Sequence, residues 1–398
     1  MGLPTALLLA KAKYTVYGYD IDPKKINLLK NNILPFEEKG LKRLYQQAKK
    51  NFHPTSELRE SDVFIISVPT PITKEEICDL SYVLSATKSV SLVLKKNNLV
   101  ILESTVPPGT TIQDVKPILD AKKIPYYLSY VSEKAMPGNT IYEMQNNHRI
   151  IGGIDKLSTE KTKNIYKSFV KSDIHLTDPT TAETVKLMEN TYRDVNIALA
   201  NELARSLESL HVNIWEAIQL ANHHPRVNFH KPGPGVGGHC ISVDPWFLVS
   251  EKTPLIRHAR KINDSMPIYV FSRVKELVKQ KSKPVISIFG VAYKGDIDDT
   301  RETPALPLIE LAKKEGFIVR IYDPYVQNFQ YALSDIHEAT SGSDCIIVLT
   351  DHLSFKQFNP KLISKNMRTR QVLDTRNILN KQQWIQAGFQ YHLAFISK

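Results

Sequence analysis

Cys240 ends the run Pro232-Gly-Pro-Gly-Val-Gly-Gly-His-Cys240, where small residues permit close backbone approach and a histidine is the immediate neighbour. A cysteine in this setting is a candidate nucleophile, because the thiolate is the reacting form and an adjacent imidazole helps to hold it. The alternative is a structural thiol, the commoner fate of a cysteine. A metal reading, with His223, His224, His239 and Cys240 as ligands, lacks a second spaced pair, so the sequence assigns no metal.

Lys186 and Asn190 are one helical turn apart and project from one face, with Asn196 and Glu202 extending the polar character; the alternative is a solvated face. Tyr293-Lys294-Gly-Asp-Ile-Asp-Asp-Thr-Arg301 follows a strand and brings two cations to a place where a phosphate could bind, or else forms a surface loop. Asp20 ends the strand Tyr14–Tyr19, where a dinucleotide-binding domain puts the carboxylate that bonds the adenosine ribose and repels a 2′-phosphate. That favours NAD over NADP, against a simple turn aspartate before Asp22-Pro23. Of the glycine loop that should precede Asp20, only Gly2 is present.

The elements that must position these groups read as α/β, then helical, then α/β. A helix over 3–13 leads into the Asp20 strand, and apolar strands at Val63–Val68 and Leu99–Leu102 end in Pro69-Thr-Pro71 and Glu103-Ser-Thr105. Short apolar strands alternating with helices describe a buried parallel sheet whose C-terminal edge carries ligands. A helix runs from Thr181 to Leu210, with Val185, Met188, Tyr192, Val195 and Leu199 marking its apolar recurrence, and helix resumes over 252–281. A second α/β unit follows: strand Pro284–Gly290, helix 304–315, and strands Phe317–Tyr322, Cys345–Leu349 and Gln371–Asp374. The boundaries expected are 1–178, 179–281 and 282–398.

The 398 residues suffice for two or three domains. Lys and Arg outnumber Asp and Glu by 52 to 41, a balance that suits anionic partners, but the basic residues are scattered and carry no nucleic-acid signature. No apolar run is long enough for a membrane helix, and three cysteines without a CxxC pair point to a reducing compartment. With no basic leader or cleavage pattern at the N-terminus, the expectation is a cytoplasmic protein bound to neither nucleic acid nor membrane.

Taken in order, Gly2-Leu-Pro-Thr-Ala6, Tyr17-Gly-Tyr-Asp20, Val68-Pro-Thr-Pro71, Glu103-Ser-Thr-Val-Pro-Pro-Gly109, Glu133-Lys-Ala-Met-Pro-Gly138, Lys186-Leu-Met-Glu-Asn190, Gly237-Gly-His-Cys240 with Asp244, and Tyr293 through Arg301 resemble the UDP-glucose/GDP-mannose dehydrogenase family. Members of that family use NAD to oxidise a nucleotide-sugar alcohol to the uronic acid in two hydride transfers. The resemblance covers nearly the whole chain and implies two Rossmann-like domains joined by a long-helix connector. Within the family, Tyr192–Ala198, His224–Asn228 and Gly238–Phe247 look most like the branch acting on UDP-N-acetyl-D-mannosamine. UDP-N-acetylglucosamine is the alternative substrate, and a catalytically silent UDP-sugar-binding chain the alternative role.

Carried over, the resemblance makes Cys240 the nucleophile that captures the intermediate aldehyde and passes through a thioester. It makes Glu133 an acid/base in hydrolysis, Lys186 and Asn190 oxyanion donors, and Asp244 the group orienting water or the lysine. A lysine in that role must be buried. Gly2, Asp20, Lys25, Thr70, Thr105 and Arg301 match cofactor contacts; Tyr293 and Lys294 match substrate contacts. Arg226 matches an arginine that reaches the substrate of a neighbouring subunit, which implies a homodimer.

Two departures stand out. Val131-Ser132 precedes Glu133 and Lys134 follows it, where relatives commonly have Pro-Glu-Arg. Relatives also begin with a strand and a full glycine loop, whereas this sequence enters at the last glycine. The N-terminal domain is therefore expected to lack its first strand, leaving unpaired strand edges and weakened NAD binding, with Met1 an internal methionine of a longer protein.

Overall fold

A computed structural model describes residues 2–396, so Met1, and the expectation attached to it, lies outside the described residues. The chain folds as two compact units, Met1–Glu189 with Trp246–Leu248 and Asn190–Pro245 with Val249–Lys398. Each has an α/β architecture. Most of the helical stretch 179–281 folds with the C-terminal unit, because the apolar side chains of Pro254–Val278 (Met266, Val270, Phe271, Val274) close one face of that unit's sheet.

In the N-terminal unit, β1 (Val16–Tyr19) and β2 (Phe52–Thr55) form a two-stranded parallel sheet of their own. The strands β3 (Val63–Ile66), β4 (Leu99–Leu102), β5 (Tyr127–Val131), β6 (Arg149–Gly153) and β7 (Ile174–Thr177) form a second sheet in that order. The expected parallel sheet is present in β3, β4 and β5; beyond it β6 runs antiparallel to β5, so the far edge reverses and then continues in parallel with β7. Four apolar residues in a row make β4 a strand buried on both faces. Leu99 and Ile101 enter a core shared with the helix α1 (Gly2–Lys11) and with Phe52 of β2, while Val100 and Leu102 enter the opposite core.

The C-terminal unit is a wholly parallel sheet, β12 (Gln390–Leu393), β11 (Gln371–Asp374), β10 (Cys345–Val348), β8 (Val285–Phe289), β9 (Ile318–Tyr322), in that spatial order. Its other face is closed by Phe355, Trp384 and Phe389. All five residues of β8, which lies between β10 and β9, are buried.

The long helix Pro179–Ser206 corrects the reading of its faces. Met188, Tyr192 and Leu199, taken as its core stripe, are 59, 56 and 41% exposed, whereas Glu183, Lys186, Asn190, Asp194 and Asn201 are buried. The buried face of the helix mixes small and apolar residues (Ala182, Leu187, Ala198, Ala200, Ala204) with polar ones, of which Glu183, Asn190, Asp194 and Asn201 have specific partners. Among the described residues, no helix is long and apolar enough to cross a membrane.

Candidate active site

In the N-terminal unit the loops at the strand ends are joined by one hydroxyl. Ser104 Oγ donates to the Val68 carbonyl and accepts from the Val68 N–H, both at 2.8 Å, tying the Pro69-Thr70-Pro71 turn after β3 to the Thr105 turn after β4. Thr70 is buried and Thr105 half-buried. Beyond Thr105, Glu183 of the long helix accepts hydrogen bonds from the Gly109 N–H (2.6 Å), the Thr111 N–H (2.8 Å) and the Thr111 hydroxyl (2.5 Å), holding the loop from below. Burial raises the Glu183 pKa against these bonds.

Asp20 lies just past the end of β1. Its Oδ1 accepts from the Asp22 N–H at 2.8 Å, and its Oδ2 lies 3.3 Å from Lys25 Nζ, so two residues matched to the ribose end of a dinucleotide stand together at a partly exposed strand terminus. Gly2 opens α1, and a Cβ there would make only ordinary contact with Ser67. A half-exposed carboxylate at a strand terminus, with threonines at the ends of the adjacent strands, fits the hydroxyl-rich adenosine end of NAD.

Glu133 follows β5 and is buried. Its Oε1 accepts from the N–H groups of Lys134 and Ala135, both at 2.7 Å, and its Oε2 accepts from Arg149 Nη1 at 2.8 Å. Arg149, at the start of β6, also donates to the carbonyls of Ser132 and Met144. Sequence reading missed this arginine and gave no role to its second acidic neighbour, Glu103, which accepts from the Tyr166 hydroxyl at 2.8 Å and the Thr5 hydroxyl at 3.0 Å. Burial and the charge of Glu133 push the Glu103 pKa up, while Arg149 and the two hydroxyls oppose the shift. Lys186 is only 7% exposed, as its proposed role requires.

In the C-terminal unit, Cys240 begins a tight turn: its carbonyl accepts from the N–H groups of Val243 (3.1 Å) and Asp244 (2.7 Å), which brings Asp244 one turn further along. Asp244 is buried, and its Oδ2 accepts from Asn190 Nδ2 at 2.6 Å. The glycines ahead of the cysteine lie against the Tyr293–Arg301 loop. A Cβ on Gly237 would stand 2.5 Å from the Glu302 carbonyl, and one on Gly238, at φ +87°, would stand 2.8 Å from the Tyr293 ring. The Gly238 N–H donates to the Arg301 carbonyl at 3.0 Å.

Burial and the charge of Arg301 hold His239 below the ordinary histidine range, so it is neutral at pH 7. Arg301 is held in a two-point pair with Asp299 (Nε to Oδ1 2.9 Å, Nη2 to Oδ2 2.6 Å), which favours its cationic form against partial burial. Burial, with Asp299 and Cys240, pushes the Tyr293 phenol up to about 12, so it serves as a neutral hydroxyl. Lys294 and Arg226 are exposed.

A buried polar chain anchors the other end of the glycine loop. Asp194 pairs with Arg260 Nη1 at 2.5 Å and accepts from Asn263 Nδ2 at 2.8 Å; Asn263 Oδ1 accepts from Asn201 Nδ2 at 2.9 Å; and Asn201 Oδ1 accepts from the Gly233 N–H at 2.9 Å. Arg376, after β11, packs its guanidinium against Gly233 and donates from Nε to the Leu349 carbonyl at 2.8 Å. Sequence reading also missed this arginine, although an Asp-Thr-Arg run at a strand end was a signal available to it. The histidines and Cys240 weighed as metal ligands are not among the groups the structure brings within ligand distance.

Three family models match in chain order: the NAD binding domain of the UDP-glucose/GDP-mannose dehydrogenase family at residues 1–170, its central domain at 180–265 and its UDP binding domain at 287–381. The chain belongs to the UDP-glucose/GDP-mannose dehydrogenase family. Its N-terminal unit is the NAD-binding one. The chain is 46% identical to the UDP-N-acetyl-D-mannosamine dehydrogenase of Methanocaldococcus jannaschii, over 99% of this chain and 94% of that protein. It is 48% identical, with the same coverage, to that of Methanococcus maripaludis strain S2. Among solved structures it is similar to UDP-D-ManNAc dehydrogenase from Pyrococcus horikoshii (40% identity, TM-score 0.92, 99% of this chain and 96% of that one). It is also similar to the UDP-N-acetyl-mannosamine dehydrogenase Cap5O from Staphylococcus aureus (38%, TM-score 0.90, 99% and 96%).

Proposed function

We propose that the chain catalyses the NAD-dependent four-electron oxidation of UDP-N-acetyl-D-mannosamine to UDP-N-acetyl-D-mannosaminuronate. The observation that carries the mechanism is the seating of Cys240: a two-glycine approach pressed onto Tyr293, a following turn that fixes Asp244, and the Gly238 N–H bonded to the Arg301 carbonyl. The names of the relatives support the substrate.

When bound, NAD would supply a hydride acceptor for each of the two oxidation steps, one oxidised molecule being consumed per hydride. In this reading the chain first takes a proton from the sugar C6 hydroxyl as it becomes an aldehyde. The Cys240 thiolate then adds to the aldehyde carbon to give a thiohemiacetal, whose oxidation leaves a thioester. Water attacks the thioester carbon, the carbon–sulfur bond breaks, and the carboxylate leaves as the thiolate returns. Asn190 and Lys186, a helical turn apart, donate to the developing oxyanion. Asp244, oriented by Asn190, holds water or the lysine, and Glu133 serves hydrolysis as acid/base. Tyr293, Lys294 and Arg226 bind the UDP-sugar; Asp20, Lys25, Thr70 and Thr105, with Gly2 and Arg301, serve the cofactor.

We further infer a cytoplasmic homodimer. The exposed stripe of Met188, Tyr192 and Leu199 supports a protein partner for the long helix, and the exposed Arg226 supports a residue shared between subunits. The test of the activity is the ratio of NADH formed to UDP-N-acetyl-D-mannosamine consumed, with UDP-N-acetylglucosamine run beside it. About two NADH per mannosamine substrate is expected. A ratio of one, or preference for the glucosamine substrate, overturns the reading.

A further inference from the structure

At the edge of the N-terminal sheet, β6 and β7 pair in parallel with Arg149 opposite Ile174 and Ile150 opposite His175. One residue before the ladder, His148 falls beside Asp173, and the Arg149 N–H donates to the Asp173 carbonyl at 3.0 Å. Side chains alternate along a strand, so Asp173 and His175 share a face, and His148 joins them from the neighbouring strand. His148 Nδ1 lies 3.7 Å from Asp173 Oδ2, and the two imidazole rings are 5.5 Å apart at 35°. One ligand atom from each of the three residues lies within 4.8 Å of the others.

We propose that His148, Asp173 and His175 form a binding site for one divalent transition-metal ion of the zinc class. Neighbouring donors around Zn²⁺, each about 2.0–2.2 Å from the ion, stand roughly 3 Å apart, so the three groups need to close by about 1–2 Å. Exposed side chains do this by torsion alone, while the backbone beneath them is fixed: Arg149, next to His148, is buried and bonded to Ser132, Glu133 and Met144. Two imidazoles and one carboxylate suit Zn²⁺, Ni²⁺ or Cu²⁺ rather than Mg²⁺ or Ca²⁺, which favour oxygen ligands. The remaining coordination position faces water. β7 is the end strand of its sheet, so a bound ion staples that strand to β6.

The experiment is a Zn²⁺ titration of the full chain against a competing chromophoric chelator, run beside a His148→Ala/His175→Ala double variant and a Cys240→Ser variant. The double variant is expected to lose one equivalent of Zn²⁺, or to hold it at least tenfold more weakly, with unchanged circular dichroism. Cys240→Ser should retain that equivalent and, loaded with Co²⁺, show a visible spectrum without a thiolate charge-transfer band. Equal stoichiometry and affinity in the wild type and the double variant would overturn the proposal. So would loss of the equivalent from Cys240→Ser, which would assign the ion to the cysteine loop.

Discussion

Glu133 and Arg149 form a buried ion pair, Oε2 to Nη1 2.8 Å, in which the arginine spends its other bonds on backbone carbonyls. The carboxylate accepts from two backbone N–H groups besides. This pair fixes the loop that follows β5. Removing one partner of such a pair leaves a buried charge uncompensated, so Arg149→Met should lower unfolding free energy by about 3–5 kcal/mol in urea titrations. Adding Glu133→Gln should recover part of the loss. Additive losses would mean the two groups are not coupled.

The neighbouring Glu103 makes a pH-dependent prediction. Its folded pKa is raised, by burial first and by Glu133 second, above its ordinary value of 4.5. The stability it contributes is thus fully present below pH 4.5 and is lost as pH rises through the raised value. Glu103→Gln keeps a neutral partner for Thr5 and Tyr166 and removes that loss. Thermal denaturation should show the variant gaining on the wild type from pH 5 to 8, with the two converging toward pH 4.5; a constant offset would contradict the assignment.

Cys240→Ala tests the covalent step. Cys240 is exposed, so folding should be unaffected, while the steady-state rate of NADH formation from the UDP-sugar should fall by about 1,000-fold or more. A variant within tenfold of the wild type would exclude a cysteine intermediate.

Gly238→Ala should damage both stability and turnover. The new Cβ meets the Tyr293 ring at 2.8 Å with φ at +87°, a combination expected to cost about 1–3 kcal/mol and to shift the cysteine turn. Pairing it with Tyr293→Ala removes the clash but not the backbone strain, so only part of the melting temperature should return.

Asn201→Ala interrupts the polar chain from Asp194 to the Gly233 N–H. Leaving Asn263 and that N–H unsatisfied should cost about 1–3 kcal/mol, read by chemical denaturation. Asn201→Asp keeps an acceptor for Gly233 but buries a carboxylate against Asn263 Oδ1, so it should cost at least as much as the alanine.

Much of the fold was legible because its strands are short apolar runs ended by polar loops. Leu99–Leu102 was placed to the residue, and Asp20, Thr70 and Thr105 all fall at or just past strand ends. What the sequence could not show was direction and facing. Nothing in Arg149–Gly153 marks β6 as antiparallel to β5, since pairing direction depends on the route of the intervening chain. The long helix was read from its apolar period, but polar side chains with fixed partners occupy its buried face, a specificity invisible to hydropathy. The roles of Arg149, Glu103 and Arg376 escaped notice for the same reason: each matters through contacts between residues 16 to 63 positions apart.

The two-stranded sheet of β1 and β2 has a further consequence. Each of its strands has a ladder partner on one side only, and β1 ends at Asp20, the residue proposed to meet the adenosine ribose. On that proposal, the least cross-braced ladder of the N-terminal unit is also the one that reads the nucleotide. On the proposed cofactor role of Asp20, opening of this corner and loss of the ribose contact become a single equilibrium, so slowed amide exchange at Val16 and Asp20, whose N–H groups donate to the Asn51 and Thr55 carbonyls, would report NAD affinity without any turnover.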